Sequence, residues 1–330
     1  MNAQVMTLVL TLLGTPVMPS TPMTTGPETY PPPGTLVDVG GRRIHLHCTG
    51  AGSPTVILEA GASAYSIDWA LVQPAVARTN RVCSYDRAGS AWSDPVPVAH
   101  EGELVVRDLH AALQAAGERP PYVLVGASLG SLFVRLYQHR HPADVAGLVL
   151  VDGTHEDGLF LSVDGEVMPV WAMSAAQVRA TIAVPPATPG PVADPTLEPF
   201  ARRLPPDLQR VRLWLQRRAA EAQRAPTFEA VAAFMEGQRA TLATLHAIDS
   251  ARPHPLDDLP LRVLTRGVNL NDRVKTLQAN LARLSSKGTQ TIVEGADHEI
   301  HLFQPDAVIR AITDVIAASR SATRAHAPRR

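Results

Sequence analysis

Gly126-Ala127-Ser128-Leu129-Gly130 carries the strongest chemical signal in this chain of 330 residues. It follows the apolar run Tyr122–Val125. It opens a stretch in which Leu129, Leu132, Phe133, Leu136 and Tyr137 recur at helical spacing. A serine at such a strand-to-helix turn sits on strained backbone, and only small flanking residues avoid a clash there. Ser128 would then stand out from the C-terminal edge of a sheet as a nucleophile. The Leu129 N–H and the helix N-terminus would face any negative charge that develops. No Lys-Ser/Thr pair follows Gly130, so a phosphate loop does not fit.

A serine hydroxyl needs a base within hydrogen-bond reach and a third group to orient that base. Among twelve histidines, His298 in Glu294-Gly295-Ala296-Asp297-His298 follows the last apolar strand and falls at the same edge as Ser128. His301 is the rival, but it leads into the helix that Pro305 opens, and a structural place suits it better.

The elements that must hold these residues are readable. Arg42–Cys48, Thr55–Leu58, Arg81–Tyr85, Tyr122–Val125, Gly147–Val151, Leu261–Thr265 and Thr289–Val293 read as strands. Near-continuous apolar strands imply burial on both faces, hence a mostly parallel sheet between helices. Leu104, Val105, Leu109 and Leu113 share one helical face that Gly117 ends. Between Gly153 and Leu259 the alternation stops. Helical stretches at Asp207–Gln223 and Thr227–His246 appear between proline-rich linkers, with no evident strand. Six of the chain's aromatics fall here: Phe160, Trp171, Phe200, Trp214, Phe228 and Phe234. They read chiefly as the core of the insertion. His155-Glu156-Asp157 reads as a surface loop or part of a hinge.

This order of strands, the Gly126–Gly130 turn and the Gly-Ala-Asp-His segment resemble the α/β-hydrolase superfamily. So do Leu58-Glu59-Ala60-Gly61-Ala62 with Trp69, and Tyr85-Asp86-Arg87-Ala88-Gly89 with Ser93. The resemblance implies a doubly wound, mostly parallel eight-stranded α/β sheet with a helical cap. It divides the chain into a leader or flexible linker (1–33), a core (34–152 and 260–318), the cap (153–259) and a basic tail (319–330). It implies a second oxyanion donor at the Ala62 N–H, beside that of Leu129. The family's usual histidine before that glycine is absent. Its Asp-x-x-Gly-x-Gly-x-Ser turn reads Asp86–Ser93 with Ala91 in place of the second glycine, a structural feature.

The family's usual acid position, counted from Gly267, falls on Leu270, which cannot orient an imidazole. Asp152, closing the strand Gly147–Val151, and Asp272, two residues past Leu270, are the candidates. Asp152 is preferred because a strand end is rigid. Relatives that act on halides or epoxides use an aspartate nucleophile, whereas this chain has serine. The implied activity is hydrolysis of carboxylic esters, or of related acyl substrates such as thioesters, lactones and amides, through an acyl-enzyme, on a small-molecule acyl substrate and without a cofactor. The alternatives are a non-catalytic ligand-binding member of the fold or a cofactor-free perhydrolase.

The composition agrees with a globular enzyme. Net charge is −1 and charged residues are 18%, which leaves no basic footprint for nucleic acid. No apolar run is long enough for a stable membrane span. Seven of 29 prolines lie in residues 1–33 and nine between Pro169 and Pro206. Val5–Leu13 resembles the apolar part of a secretion signal, but no Lys or Arg precedes it and no A-x-A site follows. A cytoplasmic location is therefore favoured over export. His45 and His47, or His139 and His141, lack a third ligand, so no metal is expected. Cys48 and Cys83 read as two reduced thiols. The family strand order nevertheless sets their strands side by side, where a bridge would point to an oxidising compartment.

Overall fold

The protein is described from a computed structural model, over residues 29–96, 101–163, 166–182, 196–222 and 227–326. Alternation of apolar side chains to opposite faces builds the sheet. Val56, Leu58, Val123, Val125, Val149, Val151 and Leu264 face one way, onto Trp69, Val76, Val308, Ile312 and Val315. Ile57, Leu124, Leu148, Leu150 and Val263 face the other, onto Leu109, Leu113, Leu132, Phe133 and Leu136. Both faces are covered by helices, the condition under which a parallel sheet is stable.

Eight strands form the sheet: β1 (Thr35–Asp38), β2 (Arg43–Thr49), β3 (Thr55–Glu59), β4 (Val82–Tyr85), β5 (Tyr122–Ala127), β6 (Val145–Val151), β9 (Leu261–Arg266) and β10 (Gly288–Val293). Their order is β1-β2-β4-β3-β5-β6-β9-β10. β2 runs antiparallel to β1 and β4, and the others are parallel. The flanking helices are α1 (Gln73–Val76), α2 (Gly102–Ala115), α3 (Gly130–Arg140), α7 (Asp272–Arg283), α8 (Ile300–Phe303) and α9 (Pro305–His326).

Residues 152–260 leave the sheet after β6 and return to β9, which pairs directly with β6. They contain α4 (Ala175–Ala180), α5 (Pro206–Ala222) and α6 (Phe228–Asp249). They also contain an antiparallel pair, β7 (Phe160–Val163) and β8 (Glu166–Pro169), where the sequence shows no evident strand. Each of these strands is four residues, too short for a periodic signal.

Three further expectations are corrected. Cys48 and Cys83 are directly opposed on β2 and β4, with Cα atoms 4.0 Å apart, and form a disulfide rather than two thiols. Glu156 is buried rather than part of a surface loop, because it accepts a hydrogen bond from the fully buried Arg135 at 2.8 Å. Residues 29–33 are docked. The Trp92 Nε1–H donates to the Tyr30 carbonyl at 2.9 Å, and His45 Nε2 lies 2.5 Å from the Pro33 carbonyl. The rest of the proposed leader, 1–28, lies outside the described residues, as does 327–330 of the basic tail. Before that, α9 runs through to His326, and Arg320 donates to the Ser53 carbonyl at 2.6 Å.

Candidate active site

Ser128 sits between β5 and α3 with φ at 49°, in the left-handed region that a non-glycine residue adopts only under constraint. The constraint is visible. The Ser128 N–H donates to the Val151 carbonyl at 2.9 Å, and the Ser128 carbonyl accepts from Thr154 N–H at 3.0 Å. The glycines on either side are required by space. A Cβ on Gly126 would lie 2.7 Å from the Gly130 carbonyl oxygen. One on Gly130 would lie 2.7 Å from the carbonyl oxygens of both Glu59 and Ala60.

His298 Nε2 lies 2.8 Å from Ser128 Oγ, and its Nδ1 lies 2.5 Å from Asp152 Oδ2. The three side chains come from the ends of β5, β6 and β10, so one sheet edge assembles them. Asp152 is anchored by its own N–H, which donates to the Leu264 carbonyl on β9 at 2.7 Å. Asp272 is elsewhere. It is the first residue of α7, exposed, next to Asn271, whose side chain caps that helix by accepting from Val274 N–H at 2.9 Å. Asp297 is turned to the backbone and accepts from His298 N–H at 2.8 Å.

Arg266 is the neighbour that sequence reasoning missed. Its backbone N–H donates to Asp152 Oδ1 at 3.1 Å and its guanidinium to Asp152 Oδ2 at 2.7 Å. The same Nη1 lies 3.2 Å from His298 Nδ1. A cation ending the strand beside β6 was the signal available. Burial opposes ionisation of Asp152, but the hydrogen bond and charge of His298, followed by those of Arg266, outweigh it. The carboxyl is held below its usual range.

His301 is not at the serine. It is 5% exposed, its ring is 4.7 Å from that of Trp69, and burial, followed by the charge of His298 and Arg212, lowers its pKa to about 3. It stays neutral there.

The two amides expected to serve an oxyanion are differently placed in sequence but near one serine. Leu129 follows Ser128 directly. Ala62 follows Gly61, whose Cβ position lies 3.3 Å from the Ser128 Cβ. Among the described residues, neither the Leu129 nor the Ala62 N–H has a hydrogen-bond partner. Polar side chains capable of holding a metal meet elsewhere. Cys48 and Cys83 approach Glu118 but are bonded to each other, and His110 of α2 meets His141 and Asp144, which follow the C-terminal end of α3, the end opposite Ser128.

A family sequence model described as alpha/beta hydrolase fold matches residues 54–303. A probable transporter of Hormonema carpetanum is 32% identical over 129 residues, which are 37% of this chain and 18% of that protein. A 2-hydroxymuconate semialdehyde hydrolase of Pseudomonas sp. strain CF600 is 31% identical over 128 residues, 38% of this chain and 45% of that one. Both matches therefore span less than half of the relative's length. Among solved structures, a thermophilic esterase from Thermogutta terrifontis superposes with a TM-score of 0.57 at 17% identity, over 86% of this chain and 97% of the other.

Proposed function

The chain belongs to the alpha/beta hydrolase fold family, and within that family we propose that it is a serine hydrolase acting on carboxylic esters of small molecules. The observation that carries this reading is the series of contacts from Asp152 to His298 to Ser128, at 2.5 and 2.8 Å.

In the proposed reaction Ser128 Oγ attacks the ester carbonyl carbon while His298 Nε2 takes the hydroxyl proton. Asp152 fixes the ring so that Nε2 faces the serine, and it stabilises the imidazolium. The tetrahedral oxyanion is met by the N–H groups of Leu129 and Ala62, donors already in place before charge develops. Collapse expels the alkoxide, which receives the proton from His298, and leaves Ser128 acylated. Water then attacks the acyl carbon with His298 again as base. The acid departs and the serine regains its proton. Residues 153–259 are proposed as the cap over this centre and 34–152 with 260–318 as the catalytic core.

Hydrolysis of short- and medium-chain nitrophenyl esters by wild type and Ser128→Ala tests the reading. Turnover that disappears with the hydroxyl is expected. No Ser128-dependent turnover across the panel overturns it, and would favour a fold member that binds its ligand without cleaving it.

A further inference from the structure

Arg87 belongs to the turn Asp86–Ser93, which the proposed mechanism leaves unused. It is 5% exposed, and its contacts converge on one place. Nη1 donates to Glu59 Oε1 at 2.5 Å and to the Ala60 carbonyl at 2.7 Å, and Nη2 donates to the Gly61 carbonyl at 2.6 Å. Glu59, 1% exposed, is held from its other oxygen by the Tyr85 hydroxyl. The guanidinium lies 5.4 Å from the ring centre of Phe133, on the helix that Ser128 opens. A buried cation is therefore fixed by β3, by β4 and by α3, with its two terminal nitrogens reaching two consecutive backbone carbonyls.

From this geometry we infer that Arg87 is the positioning residue of the oxyanion site. The Gly61 carbonyl and the Ala62 N–H belong to one peptide group. That group is planar and trans, so its C=O and N–H point in opposite directions. Holding the oxygen on Arg87 fixes the direction of the N–H. A Cβ on Gly61 would lie 3.3 Å from the Ser128 Cβ, so this peptide stands beside the serine. A cation on the carbonyl also polarises the amide, and hydrogen bonds in a chain strengthen one another, so the N–H becomes a better donor to an oxyanion. Gly130 completes the arrangement by seating the start of α3 against the Glu59 and Ala60 backbone. The inference rests on the proposed role of the Ala62 amide.

Arg87→Lys keeps the charge but cannot reach both carbonyls and Glu59 with a planar fork. Glu59→Gln/Arg87→Gln is the second variant. It removes both charges together, so no lone charge is left buried if the first variant fails to fold. The readouts are kcat and KM on a nitrophenyl ester, and the inhibition constant of phenylboronic acid, whose anionic adduct on Ser128 occupies the oxyanion position. Expected in each folded variant is a fall in kcat of about 100-fold, the cost of losing an oxyanion donor, with KM within about 3-fold and boronate affinity weakened in proportion to kcat. A kcat within about 3-fold of wild type, or a fall in kcat without loss of boronate affinity, overturns the inference while leaving the esterase reading standing. A wild type without Ser128-dependent turnover overturns both.

Discussion

Arg266 and Asp152 end neighbouring strands, and the arginine holds both carboxylate oxygens of the aspartate, one through its backbone N–H and one through its guanidinium. The carboxylate therefore has a fixed orientation before His298 meets it. Asp152→Asn should leave the fold intact and lower kcat on esters by about 10⁴-fold, because an amide that accepts from Arg266 can turn its NH₂ toward Nδ1 and favour the wrong imidazole tautomer. Asp272→Asn should leave kcat unchanged. Steady-state kinetics of the two variants side by side check this, and equal losses would remove Asp152 from its proposed role.

The difference in legibility between these two acids is physical. The Gly126–Gly130 turn is a local object. Its small residues and the change from strand to helix period lie within fifteen positions, so sequence carries it. His298 is legible for a similar reason, since the end of an apolar strand sets its edge. The choice between Asp152 and Asp272 depends on how the chain turns after β9. There Asn271 caps α7 and carries Asp272 onto an exposed helix start. The partners of Asp152 and Arg87 stand far from them in sequence, Arg266 being 114 positions from Asp152 and Gly61 26 from Arg87. No spacing rule connects them. The β7–β8 pair was hidden for the opposite reason, being local but only four residues per strand.

Glycines 61 and 130 should respond differently to alanine. At Gly130 the new methyl would press on two backbone oxygens at 2.7 Å, and neither can move without displacing the end of β3. Gly130→Ala should cost about 3 kcal/mol or more in urea unfolding. At Gly61 the methyl would meet Ser128 Cβ at 3.3 Å and the Ala127 carbonyl at 3.5 Å, contacts that small shifts relieve. Gly61→Ala should fold with a stability change below about 1 kcal/mol. Displacing the serine by tenths of an ångström should still lower kcat, by about 10-fold. Unfolding midpoints and kcat measured on both variants separate the two effects.

The Cys48–Cys83 bridge should matter for stability and not for turnover. It closes a loop spanning 35 residues, for which lost chain entropy predicts about 3–4 kcal/mol. Cys83 aligns with Ile57 and, through β3, with Leu124, four residues short of Ser128. Cys48→Ala/Cys83→Ala should therefore unfold at lower urea concentration, by an amount that reductant reproduces in wild type, while kcat stays within about 2-fold. A variant as stable as wild type would contradict the entropic account.

Acid stability should depend on the ion cluster that ties α3 to the inserted residues. Arg135 is fully buried between Glu156, at 2.8 Å, and Asp249, and His139 Nε2 lies 3.0 Å from the other oxygen of Asp249. Burial by itself would raise the Asp249 carboxyl, but the charge of Arg135 and the hydrogen bond of His139 outweigh it and hold it down to about 2. A folded-state pKa below the unfolded value means that the unfolded chain binds the proton first. The stability due to this group is complete above the unfolded pKa near 4 and is lost as pH falls toward 2. A depression of about two units corresponds to about 3 kcal/mol of pH-dependent stability, about 2 kcal/mol of it lost by pH 2, and the 3% exposure of the side chain leaves little solvent screening to reduce it. Urea unfolding of wild type should thus weaken between pH 4 and pH 2. Asp249→Asn, which has no proton to gain, should be less stable at pH 7 and lose about 2 kcal/mol less across that interval. Parallel curves for the two proteins would show that Asp249 titrates in the folded state as it does in the unfolded one, and would remove this cluster as a source of acid sensitivity.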